Sequence, residues 1–121
     1  MMPLTSLVPM LHVASVARSI AFYEQLGFVE GNRQPPGNGS DPVWVWLHSG
    51  GAQLMLAKAE GPVDPKQATL FYLYCDDVAA FREELVAAGL DAGPIKSPFY
   101  APRGEFRVTD PDGYALMVTH T

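Results

Sequence analysis

Short apolar runs alternate along this chain with stretches whose apolar residues recur at helical spacing, and the two kinds of segment follow one another twice in the same order. Leu7-Val8-Pro9-Met10-Leu11-His12-Val13 places Val8, Met10 and His12 on one side and Pro9, Leu11 and Val13 on the other, the alternation of a strand. Ser15 then stands as an N-cap, Val16, Ile20, Tyr23 and Leu26 recur at helical spacing, and Gly27 supplies a left-handed C-cap.

Residues 28 to about 32 predict a second strand. The Pro, Gly and Asn content of Gln34-Pro35-Pro36-Gly37-Asn38-Gly39-Ser40-Asp41-Pro42 predicts a loop. Val43-Trp44-Val45-Trp46-Leu47-His48 and Gln53-Leu54-Met55-Leu56 flank Ser49-Gly50-Gly51, the spacing of a hairpin with a glycine turn. The first half therefore reads β-α-β-β-β.

After a polar, Pro-rich connector, Leu70-Phe71-Tyr72-Leu73-Tyr74-Cys75 predicts another strand. Asp76 or Asp77 caps a helix that carries Val78, Phe81, Leu85 and Ala88 on one face and ends at Gly89. Short strands near 91–95, 105–108 and 115–119 complete a second β-α-β-β-β. The repeated order implies an internal duplication within one α+β domain spanning 1–121: a first module at about 5–58, a linker at 59–67 and a second module at about 68–121.

Composition narrows the function classes. With 121 residues, the chain suffices for one core without disulfides or a structural metal. Hydrophobic residues make up 48% and charged residues 17%, and no run approaches the ~20 apolar residues of a membrane span. The N-terminus, Met1-Met2-Pro3-Leu4-Thr5, has no secretory pattern, so the cytoplasm is the expected compartment. A net charge of −5 argues against nucleic acid, whose phosphates need a dense basic face, and suits a neutral or cationic ligand. Cys75 is the only cysteine and has no neighbouring cation, which reads as an inert packed thiol.

Three motifs in order carry a resemblance. Val13 to Phe28, with Arg18-Ser19 and Phe22-Tyr23 before Leu26-Gly27-Phe28, resembles the strand-helix opening of glyoxalase/bleomycin-resistance (vicinal oxygen chelate) modules. Cys75-Asp76-Asp77-Val78 and the closing Thr109-Asp110-Pro111-Asp112-Gly113-Tyr114 are similar to the corresponding parts of the second module. The resemblance implies two βαβββ modules whose mixed sheet curves around a ligand cleft. It also implies metal-ligand positions, usually His or Glu, on the first and fourth strands of each module. Here these fall on Val8, Met55, Leu70 and Met117. None is a nitrogen or oxygen donor of the kind Zn, Ni, Fe or Mn needs, so no metal and no cofactor are expected.

From the same register, Met10 and His12 join Val8 on the cleft side, and Tyr72 and Tyr74 join Leu70. Trp44, Trp46 and His48 share one side of their strand, which is a stacking wall, a helix-covered face or an interface. Glu105 or Arg107 is a candidate for a charged ligand group or forms a surface cross-strand pair with the other or a neighbour. Tyr100 and Arg103 sit in a loop that is either solvated or, by resemblance, the segment that overhangs family clefts. His12 is a candidate acid-base group or an ordinary structural histidine.

The leading expectation is a metal-free protein that binds a small organic molecule, resembling the bleomycin-resistance branch and sequestering an antibiotic or another apolar or aromatic compound as a homodimer. The alternatives are a glyoxalase-like lyase or isomerase, or a dioxygenase, with an unorthodox site. A structural partner protein using the Trp stripe as its interface is the third.

Overall fold

Both predicted helices form, each begun by the side chain that the sequence marks for the task. In the computed structural model, which describes residues 1–37 and 41–121, the Ser15 side chain accepts from the Arg18 N–H at 3.2 Å, and Asp77 accepts from the Ala80 N–H at 3.0 Å. These bonds satisfy amides that the first helical turn leaves open. Gly27 and Gly89 take positive φ just past the helix ends. The centre of the predicted loop, Asn38, Gly39 and Ser40, lies outside the described residues.

In chain order the elements are β1 (Met10–Val13), α1 (Val16–Gln25), β2 (Val29–Gln34), β3 (Trp44–Ser49), β4 (Ala52–Lys58), β5 (Leu70–Cys75), α2 (Val78–Ala87), β6 (Glu105–Thr109) and β7 (Ala115–His120). They divide between two units, Met1–Val63 and Asp64–Thr121.

In the first unit the strands lie in the order β1-β4-β3-β2, with β1 parallel to β4 and the other pairs antiparallel. Leu11, Val13, Val45, Leu47, Leu54 and Leu56 are buried, as are Val16, Ile20 and Tyr23 of α1, which lies against β4 and β2. Side chains alternate across a strand, so one sheet face meets the helix and Met10, His12, Trp44, Trp46 and Met55 occupy the other. Each fully buried residue such as Leu47 contributes about 1.5–3 kcal/mol. The helix therefore does not cover the tryptophan stripe.

The second unit repeats this plan in the order β5-β7-β6, again with its first pair parallel and the other antiparallel. Phe106, Val108, Leu116 and Val118 are buried with Val78 and Leu85 of α2, which lies against β6 and β7. On the other face the rows Tyr72–Met117–Arg107 and Tyr74–Thr119–Glu105 match Met10–Met55–Trp46 and His12–Ala57–Trp44 of the first unit, register for register.

Two expected strands differ. The first begins at Met10 rather than Leu7, although the Pro9 carbonyl still accepts from the Met55 N–H. The segment 91–95 is not a strand. It touches β6 only through the bridges Ala92–Val108 and Lys96–Glu105, because Pro94 and Pro98 have no N–H to donate. These bridges nonetheless occupy the register of β2 on β3, where Glu30 pairs with Leu47 and Gln34 with Trp44 around a bulge. Arg82 of α2 holds the segment instead, donating to the carbonyls of Gly93 at 2.7 Å and Ala92 at 3.1 Å.

The closing turn before β7 is a hydrogen-bonded Asx turn. Asp110 Oδ1 accepts from the N–H groups of Asp112 at 2.8 Å and Tyr114 at 2.9 Å. Gly113 has φ +97°, and a Cβ there would lie 2.7 Å from Pro65 Cα and 2.8 Å from Pro65 C.

Candidate functional site

The open face of the second unit's sheet carries most of the polar chemistry. Leu70, Tyr72 and Tyr74 alternate outward along β5, and the two tyrosine rings lie nearly parallel with centroids 6.3 Å apart. Across the sheet, register places Met117 beside Tyr72 and Thr119 beside Tyr74, with Arg107 and Glu105 in the next strand. At the β6 edge a cavity of about 690 Å³ opens between this strand and the segment 93–100. That volume lies within the range of sites for drug-sized ligands. Its wall includes Pro94, Pro98, Tyr100, Glu105, Arg107 and Met117.

Glu105 is the unusual member. It is buried at 5% exposure, and its Oε1 has no hydrogen-bond partner among the described residues. The Glu105 carboxylate is the main influence holding the Tyr100 phenol above its ordinary pKa, with desolvation and the nearby Tyr72 adding to it. Tyr100 thus keeps its proton and can act as a hydrogen-bond donor near neutrality. Its ring also meets Phe99 edge to face at 5.4 Å.

In the first unit, the outward face brings Met10, Met55 and Trp46 into one row and His12 and Trp44 into the next. The Trp46 indole stacks on His48 with centroids 4.9 Å apart, and its N–H donates to Gln53 at 3.2 Å. Gly31 lies under that indole: a Cβ there would come within 2.7 Å of Cζ3. Gly93 occupies the matching bulge of the second unit, facing the backbone of Arg107.

Of the residues singled out in the sequence, Tyr100, Glu105 and Met117 meet at the cavity, while Leu70, Tyr72 and Tyr74 share the adjoining face. Arg103 is engaged elsewhere. Its N–H donates to His120 Nε2 at 3.0 Å and its guanidinium to the Thr121 carbonyl. Val8 lies ahead of β1, half-buried. Sequence reasoning missed the wall formed by Gly93, Pro94, Lys96, Ser97 and Pro98. Its signal was the Gly-Pro and Ser-Pro pairs, which mark a segment that cannot complete a ladder.

The resemblance implies a metal, but the side chains at the positions it points to do not fit one. Val8 and Leu70 have no donor atom, and Met55 and Met117 offer only thioethers. Among the described residues no group of three or more His, Cys, Asp or Glu converges as a metal site, and no helix is long and apolar enough to cross a membrane.

Comparison with solved structures shows the fold. A bleomycin resistance determinant encoded on the transposon Tn5 superposes with a TM-score of 0.79 at 21% identity, covering 98% of each chain. A bleomycin-binding protein complexed with bleomycin gives 0.77 at 21% identity, covering 98% of this chain and 99% of that one. TnmS3, an antibiotic binding protein from Streptomyces sp. CB03234, gives 0.76 at 22% identity, covering 99% of this chain and 98% of that one. A search of curated protein sequences returned no significant match. The model of the Glyoxalase/Bleomycin resistance protein/Dioxygenase superfamily matches residues 7–118, nearly the whole duplicated frame, and the chain belongs to that superfamily.

Proposed function

We propose that this protein binds a small organic molecule with substantial apolar or aromatic surface, and that the open face of the second unit's sheet is a principal part of its site. The observation that carries this reading is the cavity of about 690 Å³ beside β6, where an aromatic ring, a thioether and two prolines surround one buried carboxylate. Predominantly apolar walls with a few fixed polar groups are the usual composition of a small-molecule site. The outward Tyr72 and Tyr74 extend it with stacking surface. The outward face of the first unit, with Val8, Met10, His12, Trp44, Trp46 and Met55, belongs to the same reading, as does a homodimeric assembly. Sequestration of an antibiotic is its most specific form, supported by the likeness in fold to the Tn5 bleomycin resistance determinant and the antibiotic binding protein TnmS3.

The test is a thermal-shift and calorimetric screen with bleomycin and a panel of aromatic antibiotics, alongside native mass spectrometry for subunit count. A true ligand at a hundredfold excess over its Kd stabilises the folded state by about 2.7 kcal/mol. At least one compound is expected to give a saturable shift that Tyr72→Ala weakens. If no compound saturates at micromolar concentration, the binding reading fails.

A further inference from the structure

Glu105 is buried where a carboxylate brings no advantage to packing. The register-equivalent position in the first unit holds Trp44, so the sheet accommodates a large apolar side chain at this point. A buried carboxylate oxygen without a donor is costly to fold around. The protein's own donors leave it so. Arg107, two residues along the same strand face, Lys96, its backbone bridge partner, and Tyr100, whose phenol interacts with the carboxylate, all border the cavity, yet none donates to Oε1. Both cations are exposed to solvent, whereas Oε1 is buried in a residue that lines a cavity a ligand can enter.

Resting on the small-molecule reading above, we propose that Glu105 is the recognition point for a nitrogen cation on the ligand, a primary ammonium or an amidinium carried on an aromatic or apolar body. The ligand N–H completes the unmet acceptor, and the negative charge of the carboxylate makes that bond a charge-assisted one. The Tyr100 ring, whose phenol interacts with the carboxylate and with Tyr72, offers a face to the cation and to the body that carries it. The net charge of −5 draws such ligands in at long range. An anionic ligand entering the same cavity meets Glu105 as a like charge.

The experiment compares benzamidine with benzamide, which have nearly the same shape and differ in charge, by calorimetric titration of the full chain and of Glu105→Gln. In the native protein, benzamidine is expected to bind at least about tenfold more tightly, the worth of one charge-assisted hydrogen bond. Glu105→Gln is expected to abolish that preference while retaining the affinity for benzamide, which also shows that the variant is folded. Equal binding of the two probes by the native protein, or a preference that survives in Glu105→Gln, overturns the cation assignment and leaves small-molecule binding standing. If neither probe binds but a compound from the antibiotic screen saturates without needing Glu105, the cation assignment fails while the binding reading holds.

Discussion

Gly113→Ala isolates how the closing hairpin is held, and through it the strands that carry Glu105 and Met117. Two costs act at this position. The backbone sits at φ +97°, a region that disfavours any Cβ by about 1–2 kcal/mol. The new methyl would also stand 2.7 Å from Pro65 Cα and 2.8 Å from Pro65 C. These are backbone atoms that cannot rotate away, and such overpacking costs about 1–3 kcal/mol more. Together the expected loss is about 2–5 kcal/mol, or roughly 8–20 °C in Tm for a chain of this size. Gly89→Ala supplies the control, because Gly89 has φ +91° with nothing within 4 Å of its added Cβ, so only the backbone term applies. Pro65→Ala in the Gly113→Ala background should restore little, since the colliding atoms remain. Both are read by chemical denaturation followed by circular dichroism. If Gly113→Ala costs no more than Gly89→Ala, the argument from Pro65 is wrong.

Other consequences are equally specific. Gly31→Ala pushes the Trp46 ring from its seat and costs about 1–3 kcal/mol, with a change in tryptophan emission and in its stacking on His48; unchanged emission and stability would contradict the close approach. Glu30 is held below the ordinary carboxylate range, chiefly by its hydrogen bond to Arg33, with the Arg33 charge assisting and desolvation opposing. Its folded pKa lies below the unfolded one, so the pair contributes stability above the unfolded value of about 4.5, and this is lost as pH falls through the folded pKa. Glu30→Gln should therefore narrow the stability difference between neutral and acid solution, measured by urea titration across that window. Burial pushes the Cys75 thiol up, with the charges of Asp76 and Asp77 adding to the effect; its alkylation by iodoacetamide near neutral pH should be much slower in the native chain than in denaturant.

The local signals determined the elements. Ser15 and Asp77 start the helices because a side-chain oxygen at that position reaches an open amide in the first turn, a matter of a few residues. The alternation of Tyr72 and Tyr74 with Phe71 and Leu73 assigns faces to β5 because the pleat has a period of two. The resemblance, not the local count, implied Val8, Met55, Leu70 and Met117 as metal-ligand positions, and none of them carries a nitrogen or oxygen donor. What the sequence left open was settled by contacts far apart in the chain. Whether Trp44 and Trp46 faced α1 depended on which side of β3 the helix chose, and Val45 and Leu47 took that side. Whether 91–95 formed a strand depended on the amides missing at Pro94 and Pro98 and on the grip of Arg82. The burial of Glu105 with an unmet oxygen was invisible in a run that alternates like any surface strand. Its environment is built by residues outside its strand, Tyr100 and Lys96, and only the folded chain brings them to it.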